Sequence, residues 1–137
     1  MPPFELHPRL AADTHALGDL PLCRVLLMDD ARFPWLILVP RVPGLVELTE
    51  LDDADAARLM AEARAAARAL QAHCAPHKLN LGALGNLVPQ FHLHLVARFR
   101  DDARWPQPVW GAGPAQPYAA DAAATRAAEL RRLLGIA

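Results

Sequence analysis

The sequence predicts an α+β fold: an antiparallel sheet of about five short strands, one long helix packed against it, and a further helix near the C-terminus. Three observations support this prediction. Five short segments have the length and apolar content of strands, one long stretch has helical periodicity, and turn residues separate these segments. A chain of 137 residues, 53% of them apolar and 21% charged, is long enough to bury a sizeable core, so we expect one domain over residues 1–137.

The predicted strands cover residues 14–20, 23–28, 35–39, 78–83 and 90–99. Gly18, Asp19 and Pro21 provide the turn chemistry that ends the first strand. The second and third strands are apolar and joined by a short connection, which favours an antiparallel pair. The N-terminal residues 1–14 contain three prolines and are predicted to be irregular or weakly helical.

A long helix is predicted to end before Pro76, since proline ends a helix. Residues 49–52, Thr-Glu-Leu-Asp, resemble a capping box at its start, and Asp52 or Asp53 is a second possible cap. Apolar residues recur in it at spacings of three and four: Ala56, Leu59, Met60, Ala63, Ala66, Ala67 and Leu70. The other face carries four charged residues, which we predict to be solvent-exposed, a phosphate patch being the alternative: Arg58, Glu62, Arg64 and Arg68. The final helix is predicted over residues 119–134.

The strand predicted over residues 90–99 carries the candidate chemistry. Successive side chains of a strand point to opposite faces, so Gln90, His92 and His94 share one face while Phe91 and Leu93 face a core. Histidine has an ordinary pKa of about 6.5, which lets it act near neutral pH as a base, an acid or a nucleophile. Two imidazoles at positions i and i+2 lie close enough to act on one small group. Ordinary half-buried histidines are the structural alternative.

The segment directly before this strand, residues 80–89, contains two glycines and two asparagines. Glycine lets the backbone approach a ligand closely, and successive backbone N–H groups form concavities that bind anions. The segment therefore predicts an anion site next to the two histidines.

The residues Gln-Phe-His-Leu-His-Leu-Val at 90–96 resemble the signature of the histidine triad (HIT) family, His-φ-His-φ-His-φ-φ with φ apolar, except that Gln90 stands where the first histidine would be. The resemblance extends to the order and spacing of strands, long helix and Asn/Gly segment over roughly residues 15–100. It implies a HIT-like fold with its core in those residues, followed within 101–137 by a Trp- and Pro-rich segment and the final helix. It also implies that a nucleotide binds on a solvent-open face of the sheet.

This resemblance implies a hydrolase or transferase that attacks the α-phosphate of a nucleotide. His92, at the middle signature position, would be the nucleophile and would form a nucleotidyl-histidine that water hydrolyses. His94 would hydrogen-bond the phosphate or assist proton transfer. Gln90 forms hydrogen bonds but carries no proton at neutral pH. Activity survives if that position only orients its neighbour; if it shuttles a proton, the rate falls by about 10²- to 10⁴-fold.

Four further residues are implied to bind the nucleotide. Backbone N–H groups near Gly85 and the side chain of Asn86 would stabilise charge on the phosphate. Asn80 would position the phosphate or the leaving group. Asp29, at the end of the second strand, would accept hydrogen bonds from ribose hydroxyls, a turn-capping role being the alternative.

Three alternatives to an active enzyme stay open. A nucleotide-binding module with little turnover would bind nucleotide without forming the covalent adduct. A metal site built on His92 and His94 would need a third ligand, for which the sequence offers no obvious residue. An accidental motif in a structural or interaction protein is the third alternative.

The composition limits the partners. The formal net charge of −1, from 14 Lys and Arg against 15 Asp and Glu, predicts no bulk binding of nucleic acid. No apolar run approaches the roughly 18 to 20 residues of a membrane span, so we expect a cytoplasmic protein without a membrane partner.

Cys23 and Cys74 are predicted to be reduced, structural thiols. Pro76 separates His73 from His77 and argues against a metal site there, so neither metal nor cofactor is predicted.

The resemblance also implies a homodimer. The Trp- and Pro-rich segment, residues 104–111, contains two tryptophans and two prolines and needs a surface to pack on. That surface is either the segment's own domain or a dimer partner near the active site.

Overall fold

A computed structural model describes residues 2–136 of the chain. The helices and strands follow in the order α1 (Pro8–Asp13), β1 (Thr14–Asp19), β2 (Cys23–Met28), β3 (Trp35–Pro40), α2 (Asp53–Cys74), β4 (Lys78–Gly82), β5 (Leu93–Arg98) and α3 (Ala120–Leu134), with a 3₁₀ turn at Leu48–Glu50. The strands form one five-stranded antiparallel sheet in the order β1-β2-β3-β5-β4, which confirms the predicted α+β fold. No helix within residues 2–136 is long and apolar enough to cross a membrane.

The main core lies between one face of the sheet and the helices α2 and α3. Leu95 of β5, Leu70 of α2 and Leu130 of α3 are fully buried in it. The side chain of Asp52 accepts a hydrogen bond from the backbone N–H of Asp55 at 2.7 Å, so the second of the two predicted caps begins α2, and Thr49 lies in the separate 3₁₀ turn.

Two residues of α2 differ from the prediction. Glu62 was predicted to be solvent-exposed, but it is only 7% exposed. Its carboxylate accepts hydrogen bonds from the backbone N–H groups of Leu22 and Cys23, both at 2.8 Å. Met60 was predicted to face the core and is 63% exposed, because the helix leaves part of its apolar face uncovered. The helical periodicity is confirmed, and the burial of these two residues differs from the prediction.

The second face of the sheet is covered along much of its length, so the expected solvent-open face is wrong. Ile37 and Val39 of β3 are buried there under Leu10 of α1 and Val109. Further apolar side chains from both ends of the chain pack against this cluster: Phe4, Leu6 and Trp110. The Trp- and Pro-rich segment thus packs on its own domain, and a cavity between it and α1 opens onto this face.

The strand of the signature is shorter than predicted, since β5 begins at Leu93 and not at residue 90. Pro89 has no N–H to pair with a neighbouring strand, and Phe91 donates its backbone N–H to the Leu45 carbonyl at 2.9 Å. The segment from Gln90 to His92 is therefore irregular. Within β5 the predicted alternation holds, with Leu95 in the main core and the side chain of His94 hydrogen-bonded on the other face.

Candidate active site

His92 and His94 lie at one cavity of about 490 Å³, on the face of the sheet opposite α2. This volume is within the usual range for small-molecule sites. The cavity walls come from α1, β2, β3, the loop between β4 and β5, and the Trp- and Pro-rich segment. The two imidazole rings meet edge to face with their centres 4.9 Å apart, so they can act on the same bound group.

A backbone hydrogen bond holds His92 in one tautomer. Its Nδ1 lies 2.7 Å from the carbonyl oxygen of Gln90, and because a carbonyl only accepts, Nδ1 carries the proton. In the neutral imidazole Nε2 then holds the lone pair. The side chain is 7% exposed and lines the cavity. His92 thus has the tautomer that a nucleophile needs for attack through Nε2.

The neighbouring imidazole, His94, is surrounded by aromatic rings. The indole N–H of Trp35 donates to its Nδ1 at 3.0 Å. The rings of Trp35 and Trp110 have their centres 5.6 and 5.5 Å from that of His94. Burial, and after it the adjacent His92, lowers the pKa of His94 to about 3. His94 is therefore neutral at physiological pH.

Gln90, the third residue predicted to be catalytic, reaches the site through its backbone. Its carbonyl orients His92, as described above, whereas its side-chain amide binds the N-terminal segment. The amide oxygen accepts from the backbone N–H of His7 at 2.8 Å, and the amide nitrogen donates to the carbonyl of Glu5 at 2.9 Å.

The loop between β4 and β5 brings Gly85 and Asn86 to the cavity wall beside His92. Gly85 has a φ of +81°, in the left-handed region that glycine adopts without steric cost. Asn86 is exposed, and its side chain is accessible from the cavity. The two histidines and these two loop residues thus line the same cavity.

Comparison with known proteins identifies the family. The model of the HIT domain matches residues 9–101. The chain belongs to the HIT domain family. A similar solved structure is that of a histidine triad protein from Bradyrhizobium japonicum, with 47% identity, a TM-score of 0.94 and coverage of 97% of this chain and 99% of that one. The histidine triad protein from Marinobacter aquaeolei VT8 has 47% identity, a TM-score of 0.94 and coverage of 98% of each chain. The one from Sinorhizobium meliloti 1021 has 43% identity, a TM-score of 0.92 and coverage of 94% of this chain and 96% of that one. No curated protein matches the chain significantly.

Two residues that the resemblance implied as ligand contacts are bound to protein groups in this HIT protein. The side-chain oxygen of Asn80 accepts from Arg98 at 2.8 Å. The carboxylate of Asp29 accepts from the ring of His15 and from the backbone N–H of Tyr118, both at 3.0 Å. Burial opposes ionisation of Asp29, but these two hydrogen bonds hold its pKa below the ordinary value. Neither Asn80 nor Asp29 lines the cavity.

Other residues that line the cavity were not predicted from the sequence. Trp35 and Trp110 enclose His94, and Arg9 of α1 lines the cavity with its ion-pair partner Asp13, 3.6 Å away. In the sequence, Trp35 has the pattern of a buried strand residue. Arg9 and Asp13 show only an i, i+4 charge pair, which many helices carry. No local signal links these residues to histidines so distant in the chain.

Among residues 2–136, no group of three or more His, Cys, Asp or Glu side chains could hold a metal ion. His73 and His77, which were considered as a metal pair, each accept a hydrogen bond from an arginine at Nε2. The donors are Arg126 for His73 and Arg100 for His77, both at 3.1 Å.

Proposed function

We propose that this HIT protein is a nucleotide-binding hydrolase or transferase in which His92 attacks the α-phosphate of a nucleotide. The observation that carries the proposal is the 2.7 Å hydrogen bond from His92 Nδ1 to the Gln90 carbonyl, because it leaves the lone pair on Nε2 of a cavity residue. The substrate would be a nucleoside phosphoramidate, a dinucleoside polyphosphate or a similar nucleotide derivative. A cytoplasmic location, which the unbridged Cys23 and Cys74 favour, is part of the proposal.

The reaction runs in two steps. In the first, Nε2 of His92 bonds to the α-phosphorus and the bond from phosphorus to the leaving group breaks; the leaving group departs with the electron pair, and an amine leaving group takes a proton from the solvent. In the second, water attacks the phosphorus and loses a proton, and the P–N bond breaks to return neutral His92 and the nucleoside monophosphate. Gly85 and Asn86 line the cavity beside His92 and supply N–H donors to the phosphate oxygens.

Intact-mass spectrometry tests the proposal. The protein is mixed with adenosine 5′-phosphoramidate and rapidly quenched in base, which preserves phosphohistidine bonds. We expect one added adenylyl group on the wild type and on His73→Ala, whose histidine lies outside the cavity, and none on His92→Ala. Calorimetry should show that His92→Ala still binds AMP. An adduct on His92→Ala would overturn the assignment of the nucleophile.

A nucleotide-binding module with little turnover is the second candidate. It is favoured by the side chain of Gln90, which carries no titratable proton and is bound to the backbone of Glu5 and His7. This candidate predicts that the wild type binds AMP but neither forms the adduct nor releases ammonia from the phosphoramidate. The mass experiment therefore separates the two candidates.

We also propose that a second copy of the chain covers the apolar surface beside β4, giving a homodimer. β4 is an edge strand, and edge strands offer unpaired backbone groups to a partner strand. Exposed apolar side chains surround a second cavity of about 620 Å³ at this edge: Val46, Leu48, Met60, Leu81 and Leu84. Large contiguous apolar surfaces are rare on monomers. His92 lines this cavity as well, so the partner would lie beside the active site.

Light scattering coupled to size exclusion tests the homodimer. We expect twice the chain mass of 14.9 kDa for the wild type and a monomer for the double variant Met60→Lys, Leu81→Lys. Leu87→Lys is the matched control, because Leu87 is 80% exposed but does not line the second cavity. A monomeric wild type, or a dimer of the double variant, would contradict the proposal.

A further inference from the structure

Trp35 and His94 form a buried hydrogen bond between neighbouring strands. In the pairing of β3 with β5, Trp35 lies opposite Val96 and His94 opposite Ile37, so the two side chains are diagonal neighbours on one face. The indole Nε1–H donates to Nδ1 of His94 at 3.0 Å. The two residues are 6% and 8% exposed, so water has little access to replace the indole as the donor.

The chemistry of the two groups fixes the position of the proton. An indole N–H only donates, so Nδ1 of His94 must hold a lone pair. A neutral imidazole carries one ring proton, which is therefore on Nε2. A proton on Nδ1 would point at the indole N–H and break the hydrogen bond. His94 is thus the opposite tautomer of His92, whose Nδ1 donates to the Gln90 carbonyl.

We propose that Trp35 is a positioning residue that holds His94 as a neutral Nε2–H donor to the phosphate oxygens of the substrate. The two imidazoles then have different roles: His92 attacks with the lone pair on its Nε2, and His94 donates a hydrogen bond from its Nε2. In this arrangement His94 keeps its proton throughout the reaction and does not deliver it to the leaving group. The kinetic consequence of this inference rests on the proposed function, whereas the tautomer of His94 does not depend on it.

The second indole of the site provides a matched control. Trp110 also meets the His94 ring, edge to face with the centres 5.5 Å apart. Its buried Nε1 has no hydrogen-bond partner among residues 2–136. Trp110 therefore packs on the imidazole without fixing a proton, so replacing it tests packing alone.

Nitrogen NMR of histidine-labelled protein tests the tautomer directly. We expect the wild type and Trp110→Phe to show His94 with a protonated Nε2 and an unprotonated Nδ1, and Trp35→Phe to show the proton shared between both nitrogens. Incorporation of benzothienylalanine at position 35, which keeps the indole shape but replaces N–H by sulfur, covers the case in which Trp35→Phe fails to fold. A wild type with His94 protonated at Nδ1, or an unchanged tautomer after removal of the donor, would overturn the inference.

Turnover of adenosine 5′-phosphoramidate tests the consequence. Complete loss of one positioned transition-state donor lowers kcat by about 10²- to 10³-fold. With the proton shared between the two nitrogens, a fraction of His94 keeps its Nε2–H, so we expect a smaller loss of kcat, roughly 2- to 10-fold, for the benzothienylalanine protein, with little change in KM. Unchanged kcat would overturn the positioning role. If the wild type forms no adduct, the proposed function fails, and the NMR result still decides whether Trp35 sets the tautomer of His94.

Discussion

The backbone N–H of His7 donates a 2.8 Å hydrogen bond to the side-chain oxygen of Gln90, which lies 83 residues further along the chain. The same amide donates to the carbonyl of Glu5 at 2.9 Å. His7 in turn caps α1, because its Nδ1 accepts from the backbone N–H of Arg9 at 3.1 Å. Since Arg9 and Leu10 line the cavity, the side chain of Gln90 connects the signature segment to one wall of the site.

Gln90→Ala should loosen this wall. Each hydrogen bond contributes about 0.5–1.5 kcal/mol, so we expect the free energy of unfolding to fall by about 1–2 kcal/mol. KM should rise more than kcat falls, because α1 forms one wall of the cavity. Urea unfolding and hydrogen exchange at residues 5–13 measure the effect. Gln90→Glu keeps the acceptor for His7 but loses the donor to Glu5, and should be intermediate. Wild-type protection of residues 5–13 in Gln90→Ala would contradict this role.

Gln90→His should fold and keep or raise turnover of a nucleoside phosphoramidate. The backbone carbonyl that orients His92 is unchanged by the substitution, and an imidazole adds a group that titrates near neutral pH. Steady-state kinetics and thermal unfolding measure the two effects. A folded Gln90→His protein that loses more activity than Gln90→Ala would show that the first signature position must not carry a proton here, because both variants lose the bonds to Glu5 and His7.

His94 should make the stability depend on pH. Burial, followed by the nearby His92, lowers its pKa from 6.5 to about 3 in the native protein, while the unfolded chain keeps the ordinary value. Between these two values the unfolded state binds a proton that the native state does not. The free energy of unfolding therefore falls as the pH drops through this window, by up to about 1.4 kcal/mol per pH unit.

Urea unfolding at several pH values between about 6.5 and 4.5 measures this slope, in a range where ordinary carboxyl groups are largely ionised. The comparison is between the wild type and His94→Gln, so that titration of the other groups cancels. We expect a shallower slope for the variant. Equal slopes would show that His94 is protonated in the native protein above pH 4.5.

The sequence was sufficient for the fold and for the placement of His92 and His94 on one face, because both depend on local patterns: strand alternation, helical periodicity and the spacing of the signature. It was insufficient where a side chain meets a distant partner. Glu62 has the position of a surface residue in the helical pattern, but it accepts hydrogen bonds from Leu22 and Cys23, about 40 residues earlier. The partner of Trp35 is likewise 59 residues away. Periodicity predicts on which face of a helix or strand a residue lies, but not which distant part of the chain packs against that face.

Glu62 should therefore contribute to stability and not to the chemistry. Glu62→Ala leaves two buried backbone N–H groups without their acceptors, at a cost of about 2–4 kcal/mol. Glu62→Gln keeps one oxygen acceptor and should lose less. Urea unfolding measures the losses, and kcat of the folded fraction should stay at the wild-type value because Glu62 lines neither cavity. Equal stability of the Ala variant and the wild type would mean that water satisfies both N–H groups.

Asn80 of β4 and Asn86 of the loop after it should differ in role, the first structural and the second in binding. The oxygen of Asn80 accepts from Arg98, which is 1% exposed and also bound to Asp102. Asn80→Ala removes a hydrogen bond to a buried charge, so the free energy of unfolding should fall by about 1.5–3 kcal/mol with KM unchanged. Asn86 is exposed and lines the cavity, so Asn86→Ala should raise KM without loss of stability. Urea unfolding and steady-state kinetics of both variants test the pair. If Asn80→Ala raised KM without loss of stability, Asn80 would bind the phosphate, as the resemblance implied.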